Sequence, residues 1–152
     1  MKKLIALVAV ILLTVSSAFA EIYPHALGLR FGGGDGFGTE ISYQHGLSST
    51  TRLEADLGFF NSPSENRMRI TGIHQWVWDI QGGLSWYAGV GGGLGHASKD
   101  NGGNEFILDI DGNIGIEYQF DVPLQISLDL RPTFGTSQFS GTNVGLSLRY
   151  TF

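Results

Sequence analysis

The stretch that most limits what this chain can fold into is its last ten residues. In 143–152 the side chains Val144, Leu146, Leu148, Tyr150 and Phe152 share one parity, while Asn143, Gly145, Ser147, Arg149 and Thr151 share the other. A strand sends successive side chains to opposite faces, so this segment has one apolar and one polar face. The same alternation recurs upstream. Leu124, Ile126, Leu128 and Leu130 oppose Gln125, Ser127, Asp129 and Arg131. Leu108, Ile110, Ile114, Ile116, Tyr118 and Phe120 oppose Asp109, Asp111, Asn113, Glu117 and Gln119. Leu53, Ala55, Leu57 and Phe59 oppose Arg52, Glu54 and Asp56. No window after residue 20 has helical periodicity, and alternation broken by turn clusters specifies an all-β fold.

Eight strands are predicted, at about 24–33, 38–46, 51–60, 67–80, 84–97, 105–120, 124–135 and 142–152. The connectors alternate in character. Those at 47–50, 81–83 and 121–123 are tight, whereas 33–37, 61–66, 98–104 and 136–140 are longer and richer in turn formers. An even strand count places both termini at the tight-turn end. The fourth strand is less tidy, and Ile73, His74 and Val77 predict a bulge or a change of phase there.

Residues 1–20 lie outside the predicted fold. Lys2 and Lys3, the apolar run Leu4 to Leu13 and Ala18-Phe19-Ala20 have the order of a cleaved export signal, leaving 21–152 as one domain. Removing the two lysines takes the formal charge from −5 to −7, a sign that disfavours nucleic acid. With no cysteine, disulfides, thiolate metal sites and lipoprotein processing are not expected.

Alternation alone leaves two barrels open. Polar-in with apolar-out is a membrane barrel, and apolar-in with polar-out is a secreted lipocalin-like binder of apolar ligands. Three features favour the first. Aromatics gather near strand ends, with Tyr23, Tyr43, Trp76, Trp78, Trp86, Tyr118, Phe120, Tyr150 and Phe152 towards the tight turns. Phe31, Phe37, Phe59, Phe60, Phe106, Phe134 and Phe139 fall towards the loops, and Tyr87 alone is expected on the polar side. Two aromatic rings around an aliphatic waist match bilayer interfaces. The polar face also carries Arg30, Arg52, Arg67, Arg69, Arg131 and Arg149 but no lysine, opposite Glu40, Glu54, Asp56, Asp79, Asp109, Asp111, Glu117 and Asp129. The planar guanidinium fork suits enclosed pairing with carboxylates. Finally, Gly89, Gly91, Gly93 and Gly95 share that parity, leaving room for arginines reaching from the opposite wall. The expected lumen network is Arg30, Glu40, Arg52, Glu54, Asp56, Asp109, Asp111, Glu117, Asp129, Arg131 and Arg149. Arg149 is expected to point towards Asp129, with the final strand closing on the first around Leu27 to Phe31. The whole is an eight-stranded antiparallel up-and-down transmembrane β-barrel with a polar, plugged interior.

With this signal, these eight segments and the ending Gly145 to Phe152, the chain resembles the small eight-stranded outer-membrane barrels of the OmpX/OmpA type. Residues 112–120 and 123–132 carry the same resemblance. It implies a bacterial outer-membrane location, contact with outer-membrane lipid, and transient handling by the assembly machinery, with Tyr150 and Phe152 as the signal read there. It implies no cofactor and no single activity, and no periplasmic peptidoglycan-binding domain is expected.

Candidate chemistry is sparse. His96, Ser98 and Glu105 could supply base, nucleophile and orienter for acyl transfer, as in lipid A deacylases that are also eight-stranded barrels. Those enzymes follow the serine with asparagine, whereas Lys99 follows here, and their motif lies nearer the C-terminus. A structural or interaction role without catalysis is therefore the main expectation. Asp109 to Asn113 fails as a calcium loop because Ile114 and Phe120 replace the required glycine and glutamate. His25, His45 and His74 lack ligand spacing, so no metal is expected. The strands flanking loop 98–104 are expected to be the longest and to project, which makes that loop the place for an extracellular protein partner.

Overall fold

The computed structural model describes residues 22–33, 38–136 and 141–152. The predicted export signal, Phe37 and Phe139 lie outside the described residues. The strands are β1 (His25–Gly33), β2 (Thr39–Gly46), β3 (Thr51–Ser62), β4 (Glu65–Gln81), β5 (Leu84–Lys99), β6 (Asn104–Gln119), β7 (Leu124–Gly135) and β8 (Gly141–Thr151). They pair in chain order and close into a barrel. The closing seam runs antiparallel from Ala26 opposite Thr151 to Gly33 opposite Val144, with Leu27 on Tyr150 and Phe31 on Leu146, as the alternation requires.

The two ends differ because their turns differ. At one end β4 and β5 meet through Gly82-Gly83, whose φ angles of 55° and 84° suit the twist of a two-residue hairpin. The Gln119 side chain donates to the Leu124 carbonyl at 3.1 Å, tying down the β6–β7 turn. At the other end the β3–β4 ladder continues to Ser62 opposite Glu65, so only Pro63 and Ser64 connect them. Ser62 Oγ holds that turn by accepting from the Glu65 amide at 3.2 Å. The longer connector expected at 61–66 is thus mostly strand. As a result β4, with 17 residues, is the longest element, ahead of the 16-residue β5 and β6. Among the described residues these three form the tallest part of the wall. Among the described residues the β6–β7 ladder begins at Asp109 opposite Gly135, with Leu108 still bonded to Thr136, so Asn104–Ile107 rise above that rung.

The expected irregularity near His74 is absent. Ile73 and Val77 keep the lumenal parity of β4 and are fully buried, while His74 faces outwards against Trp76. The register shift falls instead between Asp79 and Gln81. A second interruption lies between the rungs Asp111–Thr133 and Ile114–Leu130. Pro132 occupies that gap on β7; it has no N–H to give the ladder.

Burial settles which face is inside. Among the described residues the buried set has 24 polar or charged members and only six apolar ones, Ala26, Ile73, Val77, Tyr87, Ala97 and Ile107. By contrast 33 large apolar side chains stay exposed, nearly all on the outer face. Apolar area leaving water gains about 25 cal/mol per Å², so the outer surface is built for hydrocarbon. This arrangement overturns the lipocalin-like alternative, which needs the opposite polarity. No described helix is long and apolar enough to cross a membrane; strands do the crossing. Two aromatic assignments change or sharpen. Tyr87 is lumenal as expected, but Phe60 also takes the inner parity, with the Arg67 guanidinium 4.4 Å from its ring. At the turn end Trp78 and Trp86 stack at 4.3 Å, part of the interfacial belt.

Leu128→Arg, a charge at mid-strand on the outer face, should cost about 2–4 kcal/mol of unfolding free energy in lipid vesicles, and Phe106→Arg near the rim about 0–1. Urea titrations of the two variants would show the depth dependence; equal costs would contradict the outward, membrane-spanning assignment.

Candidate functional site in the lumen

The lumen is crossed by arginines. Arg131 on β7 reaches β3, four strands away and so on the opposite wall, where its Nη2 donates to Asp56 at 2.7 Å and Glu54 at 2.9 Å. Its Nη1 lies 3.5 Å from Glu40 on β2. Arg149 on β8 also reaches Glu54 at 2.9 Å and donates to Ser42 and Ser127. Gln44 donates to the same carboxylate at 2.7 Å. Arg30 on β1 contacts Glu40 at 2.8 Å and grips both oxygens of Asp129, at 2.6 and 3.1 Å. Asn143 on β8 accepts from it at 2.9 Å. Five strands are tied together by this one cluster.

Two further groups complete the interior. Towards the loops, Arg69 on β4 donates to both oxygens of Asp111 on β6 at 2.8 and 2.6 Å and lies 3.4 Å from Asp109. Thr133 on β7 donates to Asp111 at 2.6 Å. Towards the turns, Arg52 on β3 makes a paired contact with Glu117 on β6 at 2.8 and 2.6 Å. Its Nε donates to Gln75, which donates onward to Asn113 at 2.7 Å, and the guanidinium lies 4.9 Å from the Tyr87 ring centroid. Below this pair the barrel opens into a polar vestibule of about 510 Å³ whose walls include Gln44, Asp79, Gln119 and Gln125.

Glycines are placed where these large groups lie flat on the wall. A side chain at Gly145 would collide with the Arg30 guanidinium, and one at Gly115 would come within 2.6 Å of the Tyr87 ring. One at Gly93 would overlap Arg69. In the β5 glycine stripe Gly93 therefore makes room for Arg69 on the neighbouring strand and not for an arginine from the opposite wall, while Gly89 and Gly91 let β5 lie close against Ile73 and its neighbours on β4.

Every one of the eleven residues expected in the network is buried in the lumen: Arg30, Glu40, Arg52, Glu54, Asp56, Asp109, Asp111, Glu117, Asp129, Arg131 and Arg149. One pairing differs. Arg149 meets Glu54, not Asp129, because Asp129 is occupied by Arg30 and its own rung lies at Gly145, four residues along β8. Sequence reasoning left Arg69 out of the network although its parity, shared with Thr71 and Gln75, was a sufficient signal. Ser42, Gln75 and Asn143 were missed because neutral side chains on a polar face look alike until their partners are known.

The hydrolase constellation is not assembled. His96 and Ser98 face outwards, opposite Phe106 and Asn104 in the ladder, and Ser98 Oγ donates to Asn104 at 3.0 Å. Glu105 is opposite Ala97, on the inner parity, and accepts from Lys99 at 3.4 Å. A glutamate on the other face of the sheet cannot orient His96. Among the described residues no group of three or more histidine, cysteine, aspartate or glutamate side chains is arranged to hold a metal. Tyr150 and Phe152 face outwards, stacked with centroids 6.0 Å apart.

A closed barrel with an apolar exterior and a lumen filled by ion pairs defines a small transmembrane β-barrel, the fold of the small outer-membrane barrels. Among solved structures, the N-terminal β-barrel domain of Pseudomonas aeruginosa OprF superposes with a TM-score of 0.70 at 14% identity, covering 84% of this chain and 96% of that one. Neisserial surface protein A gives 0.58 at 17% identity, covering 84% and 94%. Ail, the attachment invasion locus protein of Yersinia pestis, gives 0.50 at 15% identity, covering 84% and 96%. No protein-family model and no curated protein matches the sequence. At such identities the likeness is one of fold.

Arg131→Met leaves the Glu54 and Asp56 carboxylates facing each other without their shared partner, and should destabilise the barrel by about 3–5 kcal/mol. Adding Asp56→Asn should return part of that loss. Equilibrium unfolding of the four proteins in a double-mutant cycle measures the coupling; strictly additive costs would contradict the bridge.

Proposed function

We propose that this protein is a small, non-enzymatic integral protein of the bacterial outer membrane, with a structural or interaction role and no open pore. The observation that carries this reading is the inverted barrel, apolar outside and cross-braced within by Arg131, Arg30 and Arg52. A diffusion channel needs a continuous aqueous lumen, and eight strands enclose space only for side chains. Surface-located work then falls to the tall wall of β4, β5 and β6 and its connector at 100–103. There the β6 segment Asn104–Ile107 carries Phe106 exposed at the top of the wall, the place proposed for strand addition by an extracellular protein. The outward pair Tyr150 and Phe152 on and just beyond the last strand supplies the aromatic signal for the outer-membrane assembly machinery.

The test is fractionation and conductance. The protein should be found with outer membranes, resist SDS until heated, and admit no sugars when reconstituted in liposomes. Recovery in a detergent-free soluble fraction, or sugar-driven swelling of the liposomes, would contradict the proposal. Phe152→Asp should lower the amount reaching the outer membrane while the purified variant still folds in detergent. Unchanged membrane levels would remove the assembly role from this residue.

A further inference from the structure

His25 and His45 are 20 residues apart in the chain and directly opposite in the β1–β2 ladder, at the turn end of the barrel. Both take the outward parity of Leu27 and Tyr43; His25 is half-buried and His45 exposed. Their Nδ1 atoms lie 3.4 Å apart, and the ring centroids 5.1 Å. Tyr43 Oη is 2.8 Å from the same His25 nitrogen. Two imidazole nitrogens and a phenol oxygen therefore converge on one spot of the outer wall. The His25 ring is held there by Phe152, stacked at 5.4 Å, while the His25 and Phe152 backbones exchange hydrogen bonds of 3.0 and 2.9 Å.

Two ring nitrogens this close share either a proton, one donating as N–H and the other accepting, or a cation bound between them. Nitrogens bound at about 2.0–2.1 Å to a tetrahedral zinc ion are about 3.3–3.4 Å apart, the spacing this pair already has. Imidazole also suits the zinc, copper and nickel group over magnesium or calcium. We propose that His25 and His45, with Tyr43 beside them, form a binding site for a divalent transition-metal ion of the zinc class, its open positions taken by water. The sequence conceals such a site because its ligands are brought together by cross-strand pairing and not by local spacing. The ion clamps β1 to β2 one strand from the β1–β8 seam. Because it binds the folded barrel and not the separated strands, it stabilises closure.

The experiment is calorimetric titration of Zn²⁺ into the tag-free barrel folded in zwitterionic detergent, alongside His25→Gln, His45→Gln and His74→Gln. One ion per barrel is expected, with binding at least about tenfold weaker in the first two variants and unchanged in the third. Zinc should also raise the temperature at which the folded band converts to the unfolded one in SDS gels, reversibly with EDTA and only where both histidines are present. Should His25→Gln fail to fold for want of its stack on Phe152, the exposed His45→Gln decides. No saturable binding at millimolar zinc, or equal binding by His45→Gln, overturns the site and leaves a hydrogen-bonded histidine pair.

Discussion

Hydrocarbon offers backbone N–H and C=O groups no partner, so a strand that enters it must be paired along both edges. Everything else in this barrel follows from closing the sheet. Eight strands closed in chain order leave a lumen only as wide as side chains, and whatever points inwards must fill it. Filling it with apolar groups would have made both faces alike. This chain fills it with arginines and acids, so that each strand has one face that belongs in lipid and one that does not.

That choice has an energetic cost as well as a use. Taking a carboxylate and a guanidinium out of water costs several kcal/mol per ion, recovered only where geometry is good and the remaining lone pairs are satisfied. The lumen approaches that condition by sharing, although Asp56 Oδ1 and Arg131 Nε have no hydrogen-bond partner among the described residues. Glu54 accepts from Arg131, Arg149 and Gln44, and Arg30 serves Glu40, Asp129 and Asn143. Arg131 and Arg149 each contact two strands that are not their neighbours in the sheet, and Arg30, Arg52 and Arg69 each reach at least one. A slip of one residue in any strand would turn its lumenal charges into the lipid and strand its partners. The network therefore specifies register as much as it contributes stability.

The fold was legible in the sequence because period-two alternation is local and survives without knowledge of any partner. Leu146, Leu148 and Tyr150 declared one face of β8, and the seam with β1 followed from closure. Strand ends were less legible. Asn61 to Asn66 carries turn-forming residues, yet Ser62 and Glu65 stay paired and the wall gains height. Ile73 and Val77 looked like a break in phase when they were apolar residues on a polar face, buried where β4 passes Tyr87 and the β5 glycines. Partners were least legible of all. Composition showed that arginines and acids would meet, but that Arg149 takes Glu54 while Arg30 takes Asp129 depends on barrel shear and on side-chain reach across the lumen.

The same physics explains why such a barrel can resemble others so closely in shape and so little in sequence. An outward position requires only that its side chain be apolar, so leucine, isoleucine and valine exchange freely there. An inward position requires a balanced set of charges and enough glycines to make room, not a given acid at a given rung. Strand length and turn chemistry are constrained more tightly, because they fix closure. What selection for function could act on is thus confined to surfaces the fold leaves free. Among the described residues, the raised wall of β4 to β6 is the surface proposed for a partner and the histidine pair at the other end the site proposed for an ion.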